Sequence, residues 1–246
     1  MQESSPPRPA HSPIKELPRY FTDERGRRVF LDGLFGETAA DYDFVEKLLG
    51  FGSGPWYRRD ALRRAGVKPG VRVLDIATGT GLVAREAIAL GGNVLGLDPS
   101  AGMLTEAQRL SIPLVRALGE KLPFADASFD FVTMGFALRH VADLDALFTE
   151  IRRVLVPGGT ACILEITRPK SALAAAPLRV FMTRIVPAIA RVSGRGLASR
   201  RLMRFYWDTI EACVPPASVL SSLERTGLAA RRGVVLGGFS EYLATK

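Results

Sequence analysis

The stretch Val73-Leu74-Asp75-Ile76-Ala77-Thr78-Gly79-Thr80-Gly81, answered by Asp98 at the end of the next apolar run, constrains the fold more than any other part of the chain. Val71, Val73, Leu74 and Ile76 lie between Pro69-Gly70 and the glycines, the pattern of a short strand buried on both faces. Gly79 and Gly81 permit positive φ and let the backbone approach a ligand with no Cβ in the way. From Leu82 to Leu90 the residues Leu82, Ala84, Ala87 and Ile88 have helical spacing, and Gly91-Gly92 stops the helix. Val94 to Leu97 is then a second strand, ending on Asp98. This order suits a nucleoside: the turn faces it, and the carboxylate accepts its ribose hydroxyls.

The glycines alone do not identify that nucleoside, because Gly79-x-Gly81-x-x-Ala84 also satisfies a relaxed dinucleotide pattern. Asp75 discriminates. A carboxylate just before the turn repels a diphosphate at the helix N-terminus. It favours the ammonium and sulfonium of S-adenosylmethionine. The competing reading of Asp75 is that it braces the turn.

Further along, Ile112 to Val115 reads as a third strand, and Leu122 to Val132 as a turn followed by a fourth. Ala142 to Val154 is an amphipathic helix with Leu144, Leu147, Phe148 and Ile151 on one side. Pro157-Gly158-Gly159 stops it, and Thr160 to Ile166 is a fifth strand. Alternating units of this length predict an α/β fold, a doubly wound, mostly parallel sheet with its ligand at the carboxyl ends of the strands.

VLDIATGTG (73–81), GLDPS (96–100), EKLPFADASFD (120–130), FALRHV (136–141) and RRVLVPGGTACILEITRP (152–169) occur in this order. Together they resemble the class I S-adenosylmethionine-dependent methyltransferases, and more narrowly the C-methyltransferases of ubiquinone and menaquinone biosynthesis. Tyr42-Asp43, Gly52 and Trp56-Tyr57-Arg58-Arg59 are similar to that family's N-terminal signature. Thr226-Gly227-Leu228, Gly237-Gly238-Phe239 and Tyr242-Leu243-Ala244 are similar to its closing strands.

The resemblance implies a seven-stranded Rossmann-like sheet in one domain over 21–246. It comprises a helical N-terminal cap (21–68), a cofactor-binding core (69–169), a helical insertion after the fifth strand (170–214), and a C-terminal helix with closing strands (215–246). Four departures stand out. Leu82 replaces the acid that closes the turn, Leu118-Gly119 an asparagine-alanine pair, Gly135 a serine, and His140 an asparagine.

The cofactor expected is S-adenosylmethionine, held by Asp75, Gly79, Thr80, Gly81, Asp98, Met103, Leu118, Gly119 and Gly135. Asp98 would hold both ribose hydroxyls, and Thr80 a backbone or hydroxyl contact. Met103 packs on the adenine or in the core, and Glu120 orients its loop. Arg139 and His140 follow the fourth strand and are expected to face the cleft. The resemblance places the arginine in the active site, where its fixed charge would stabilise a phenolate. His140, with an ordinary pKa of ~6.5, is a candidate base or a helix cap. Tyr42 is a third candidate, on a helix carrying Phe44, Val45, Leu48 and Leu49; it bonds an acceptor oxygen or simply packs. Trp56 is expected to anchor the cap.

The net charge of +8 is unevenly placed. Between Glu165 and Asp208 there is no acid, but there are Arg168, Lys170, Arg179, Arg184, Arg191, Arg195, Arg200, Arg201 and Arg204, so the remainder of the chain sums to about −1. Large apolar residues from Leu178 to Trp207 interleave with them, and Pro177 and Pro187 are expected to break the segment into short helices. Three readings are open: an interfacial helix pair on anionic lipid, a substrate cap with solvated arginines, or a nucleic-acid patch. The last ranks lowest, so no nucleic-acid partner is expected.

Residues 1–20, rich in proline, read as a disordered tail without a signal-peptide core, and no run is long enough for a spanning helix. Cys162 and Cys213 lack metal or redox spacing, and His11 and His140 are the only histidines, so no metal site is expected. A cytoplasmic protein is expected, with peripheral contact at the inner face of the membrane and a homodimer left open. The leading function is C-methylation of a lipophilic demethylquinol. The rivals are methylation of oxygen, nitrogen or carbon in a soluble secondary metabolite, and a non-catalytic lipid-associated module.

Overall fold

Strands of three to twelve residues assemble side by side into the centre of the molecule. The computed structural model describes residues 17–167, 171–194, 196–235 and 238–246. Its strands are β1 (Arg72–Ile76), β2 (Asn93–Asp98), β3 (Leu114–Arg116), β4 (Phe129–Gly135), β5 (Leu155–Ile166), β6 (Ala229–Val235) and β7 (Phe239–Thr245). They form one sheet in the order β3-β2-β1-β4-β5-β7-β6, parallel except for β7, which runs against β5 and β6. The strand order reverses between β1 and β4, where an open sheet leaves a crevice at its carboxyl end. Ala77 (φ 54°) and Phe136 (φ 59°) take left-handed backbone just beyond these two strands, so the chain turns sharply off both.

Helices are α1 (Glu24–Leu49), α2 (Gly54–Ala65), α3 (Leu82–Ala89), α4 (Ala101–Ala107), α5 (Leu144–Val154), α6 (Ala172–Val180), α7 (Val186–Val192), α8 (Gly196–Glu211) and α9 (Pro216–Arg225). Strand alternation sends Leu74, Ile76 and Val132 into a core with α5 and α9. Val73, Phe131 and Leu164 go to the opposite core, with α2 and α3. A third core lies off the sheet: Leu34 and Val45 of α1 meet Val186 of α7 and Leu202, Phe205, Trp207 and Ile210 of α8. Fully burying side chains of this size contributes about 1.5–3 kcal/mol each. The N-terminal helix and the insertion thus form a single helical layer.

Several expectations shift. Leu17 and Phe21 are buried in this third core, and Tyr20 packs edge-on to Phe205 at 5.1 Å. The tail expected over 1–20 therefore ends earlier; residues 1–16, with His11, lie outside the described residues, as do Arg168, Lys170, Arg195 and Gly237. α2, expected in the cap, joins the sheet instead through Tyr57, Ala61 and Leu62, while Trp56 is 63% exposed and anchors nothing.

Pro177 and Pro187 do not break the insertion. α6, a π turn at Phe181–Ile185 and α7 follow one another with helical backbone at each junction. Pro187 directly follows the π turn, whose wider spacing accommodates both the ring and the missing N–H. β5 also starts at Leu155 and runs through Pro157-Gly158-Gly159, with its pairing to β4 irregular between Phe129 and Phe131.

Candidate active site

α1 crosses the carboxyl edge of the sheet because glycines let it come close. A Cβ built on Gly102 of α4 would lie 2.7 Å from the Cα of Gly36 of α1. Polar ties then pin α1 to the loops beneath it. Thr80 Oγ1 donates to Asp43 at 2.6 Å, Arg109 bonds the same carboxylate, and Asp32 pairs with Arg116 at 3.1 Å. Between α1 and the ends of β1, β2 and β4 is a cavity of about 520 Å³.

One end is built from the backbone and from Asp98. The Asp98 side chain accepts from the Gly79 amide at 2.9 Å through Oδ2 and from the Ser100 amide at 2.8 Å through Oδ1. A carboxylate has about four lone-pair sites, so each oxygen retains one for a ligand hydroxyl. Burial pushes Asp98 up to about 6 against the pull of those two amides. Ser100 Oγ is buried in the wall with no partner, and a Cβ on Gly79 would meet nothing within 4 Å. Ile76, Leu97, Met103 and Leu118 add an apolar slot. These residues fit an adenosyl group, with Asp98 toward the ribose.

Three of the expected cofactor residues, Asp75, Thr80 and Gly81, stand behind this wall rather than in it. Asp75 is 1% exposed; it accepts from Thr78 Oγ1 at 2.7 Å and Thr133 Oγ1 at 2.5 Å, so it ties the turn after β1 to the neighbouring strand β4. Burial pushes its carboxyl up to about 6 as well. Thr80 is 2% exposed and ties the turn to α1. Gly81 has φ 88°, and a Cβ there would run into Leu110 of the segment after α4. Gly119 and Gly135 do line the cavity. A Cβ on Gly119 would sit 2.9 Å from Leu147 Cδ1, and one on Gly135 2.5 Å from Val83 Cγ2. Val83 therefore fills the room a larger residue at 135 would need.

The other end is aromatic. His140 lies at the end of the short 3-10 turn Leu138–His140, stacked on Phe205 at 5.5 Å with Phe35 edge-on at 5.3 Å. Its Nε2 is buried in the wall without a partner. Burial, then the charges of Arg139 and Arg27, hold its pKa well below 6.5, so the imidazole is neutral. Tyr42 and Tyr206 line the same end, with the Tyr206 hydroxyl donating to Tyr42 Oη at 2.6 Å. Burial raises both phenols above their usual range, so both stay protonated. The Tyr42 proton is thereby left to a ligand.

Arg139 does not reach the cleft as expected. The turn points its guanidinium away into an ion pair with Glu165, with Nε donating to Thr209 at 3.2 Å and the charge 4.9 Å over the Tyr206 ring. A buried guanidinium needs such a partner, and Glu165 on β5 is where the turn can find one.

Sequence reasoning missed Arg27, Phe35, Ser100 and Tyr206, all in the wall. Ser100 could have been found, since it stands at the N-cap position of α4, two residues after Asp98. Tyr206 was read only as part of an apolar cover, and Arg27 carried no local signal because the carbonyl it bonds belongs to His140, 113 residues away. Cys162 and Cys213, both pushed up to about 12 by burial, are unreactive free thiols. Among the described residues no cluster of His, Cys, Asp or Glu could hold a metal ion.

Known proteins resemble this chain. Residues 22–230 match the model of the ubiE/COQ5 methyltransferase family. A demethylmenaquinone methyltransferase of Corynebacterium urealyticum is 35% identical over 159 residues, covering 65% of this chain and 69% of the relative. One of Thermus thermophilus is 32% identical over 207 residues, covering 80% and 92%. Among solved structures, an S-adenosylmethionine-dependent methyltransferase of Thermotoga maritima aligns with a TM-score of 0.63 at 19% identity, covering 87% of this chain and 99% of that one. One of Methanococcus maripaludis aligns with a TM-score of 0.60 at 18% identity, covering 86% and 93%. At such identities these two share the fold. The chain belongs to the ubiE/COQ5 methyltransferase family and is an S-adenosylmethionine-dependent methyltransferase.

Proposed function

We propose that the protein methylates a ring carbon of a demethylquinol of the menaquinone type. The observation that carries this is the aromatic end of the cavity, where a neutral His140 with an unpaired Nε2 and the Tyr42 hydroxyl line the same wall beside the end of β4. Relatives named demethylmenaquinone methyltransferase support the choice of ring.

S-adenosylmethionine, when bound, supplies an electrophilic methyl group; Asp98, Ser100, Gly79 and the apolar slot around Met103 would hold its adenosyl part. Tyr42 donates to one acceptor oxygen and fixes the ring. Neutral His140 accepts the proton of a second hydroxyl, which enriches the adjacent ring carbon in electrons. One proton is lost net for each methyl gained: the hydroxyl proton leaves first, the methylated ring carbon then gives up its hydrogen as the ring regains aromaticity, and the oxygen takes a proton back. Phe35, Phe205 and Tyr206 keep water from the reacting atoms. Arg139 acts from behind, by orienting Tyr206.

Gly135 and His140, where the resembling family carries serine and asparagine, favour a second reading, a soluble phenol as acceptor. Purified protein with labelled cofactor should methylate demethylmenaquinol and leave a panel of soluble phenols untouched. Methylation of the phenols alone overturns the quinol assignment.

A peripheral membrane contact belongs to the same proposal. The helical run 172–192 exposes Leu173, Val180, Ile185, Ile189 and Val192, with Arg179, Arg184 and Arg191 exposed among them. Phe51, 84% exposed in left-handed backbone (φ 49°), stacks on Phe181 at 5.2 Å beside this run. Apolar residues set among cations suit an anionic bilayer surface, and no described helix is long and apolar enough to cross one. The cap formed by α1 and the insertion would then stand between lipid and cavity. Replacing Arg179, Arg184 and Arg191 with Gln should reduce sedimentation with anionic vesicles and leave S-adenosylhomocysteine affinity unchanged. Equal binding to neutral and anionic vesicles counts against the electrostatic part. Self-association lost on the same substitutions would assign the face to a homodimer.

A further inference from the structure

Two buried arginines flank His140, and they face different ways. Arg139 is enclosed by Glu165, Thr209 and the Tyr206 ring, outside the cavity wall. Arg27, in the first turn of α1, is 3% exposed and lines the cavity. Glu24 grips its Nε and Nη2 side-on, each at 2.7 Å, and its Nη1 donates to the His140 carbonyl. A guanidinium has five N–H donors. Three are engaged here, which leaves one on each Nη. A fixed charge with directed donors in a site that excludes water is suited to holding an oxyanion.

The other charges at this end do not cancel it. Glu24 is also shared with Arg28, at 3.2 Å. Glu120 is fixed on the Ala142 amide at 3.0 Å, and Asp32 is paired with Arg116. Arg139 lies behind His140 and adds to the positive potential, while Tyr42 and Tyr206 are neutral donors.

We propose that Arg27 stabilises the phenolate oxygen of the acceptor, so that the acceptor reacts as its monoanion. The hydroxyl proton passes to His140 Nε2 and on to solvent, and the electron pair stays on the oxygen facing Arg27. This rests on the phenolic-acceptor reading above and adds a residue to it that lies upstream of every motif the family resemblance used.

The test reads ionisation rather than turnover. The protein saturated with S-adenosylhomocysteine is titrated with 1-naphthol, and the naphtholate absorption is followed against pH. In the wild type, bound naphthol should ionise at least one pH unit below free naphthol. In Arg27→Met, with S-adenosylhomocysteine affinity unchanged, the ionised fraction at a given pH should fall at least tenfold. Arg27→Lys, which keeps the charge but loses the fork, should fall between them. Glu24→Gln removes the compensating anion and should move ionisation to still lower pH, which provides a test should Arg27→Met fail to fold.

Neutral bound naphthol in the wild type, or unchanged ionisation in Arg27→Met, overturns the proposal. Demethylmenaquinol turnover by the wild type is measured separately. Turnover with neutral bound naphthol sinks the Arg27 role and leaves the quinol reading standing. Ionised naphthol without quinol turnover does the reverse.

Discussion

At its cofactor end the cavity is made by residues 76 to 119, consecutive βα units whose parts are neighbours in sequence, whereas its acceptor end gathers Arg27, Phe35, Tyr42, His140 and Tyr206 from three distant parts of the chain. The first end is mostly backbone amides and one carboxylate resting on the sheet. The second is side chains hung from helices that share a core of their own. The contrast teaches a division of labour. A common ligand is bound by local geometry on a rigid sheet, and the variable ligand by residues brought together only when the cap has folded. Changes at the acceptor end should therefore disturb stability and methyl transfer together, while changes at the cofactor end should act on affinity alone.

The largest effect is expected where the acceptor end depends on a buried charge. Glu165 is 2% exposed and accepts from the Arg139 side chain, from the Arg139 amide at 3.2 Å and from the Ile166 amide at 2.7 Å. Glu165→Gln leaves the guanidinium buried and uncompensated. It should destabilise the protein by about 3–5 kcal/mol, read as a lower urea midpoint. Arg139→Met combined with Glu165→Leu should recover most of that loss. An Arg139→Met protein of full stability that is inactive would instead put Arg139 in the chemistry itself.

Legibility followed the same division. The strands β1, β2 and β4, the turn at Thr78–Gly81 and Asp98 could be read directly, because a glycine turn and an apolar run signal their geometry within a few residues. His140 was legible as a candidate through its place after β4, but its neutrality was not, since that comes from Phe35 and Phe205 closing over it. Arg139 was misplaced because sequence gives the position of a residue after a strand and not the side on which it finds a counter-charge. Asp75 was assigned to the ligand with a brace as the rival reading, and the structure pairs its carboxylate with two threonines, one of them on β4. The continuity of α6 and α7 was hidden by Pro177 and Pro187; at Pro187 the usual break is avoided by the π turn before it.

At the cofactor end, Asp98→Ala should weaken S-adenosylhomocysteine binding by about 1.5–3 kcal/mol, the range for hydrogen bonds to a charged group. Calorimetry reads that affinity, and a urea titration should show the midpoint changed far less. Binding needs the ionised carboxylate, and burial pushes this one up to about 6. Affinity should therefore fall as pH drops through about 6, and Asp98→Asn should abolish that dependence. Stability without ligand has the opposite sign. A carboxyl raised in the fold contributes fully below its unfolded value, and that contribution is lost as pH rises through about 6. A pH-independent affinity would move the ribose hydroxyls away from Asp98.

The smallest change tests whether the two ends are independent. Tyr206→Phe removes one hydroxyl, which donates to Tyr42 at 2.6 Å in a buried pair. Its stability cost should be about 0.5–1.5 kcal/mol, the net value of one hydrogen bond. Without that donor the Tyr42 hydroxyl is free to turn, so its alignment on the acceptor loosens. Methylation should then drop by about tenfold, equivalent to ~1.4 kcal/mol in the barrier. The cofactor end shares no hydrogen bond with this pair, so S-adenosylhomocysteine affinity should not move. An equal loss in both measurements would mean that the tyrosine pair supports the whole cavity, and the separation between a sheet-built end and a cap-built end would fail.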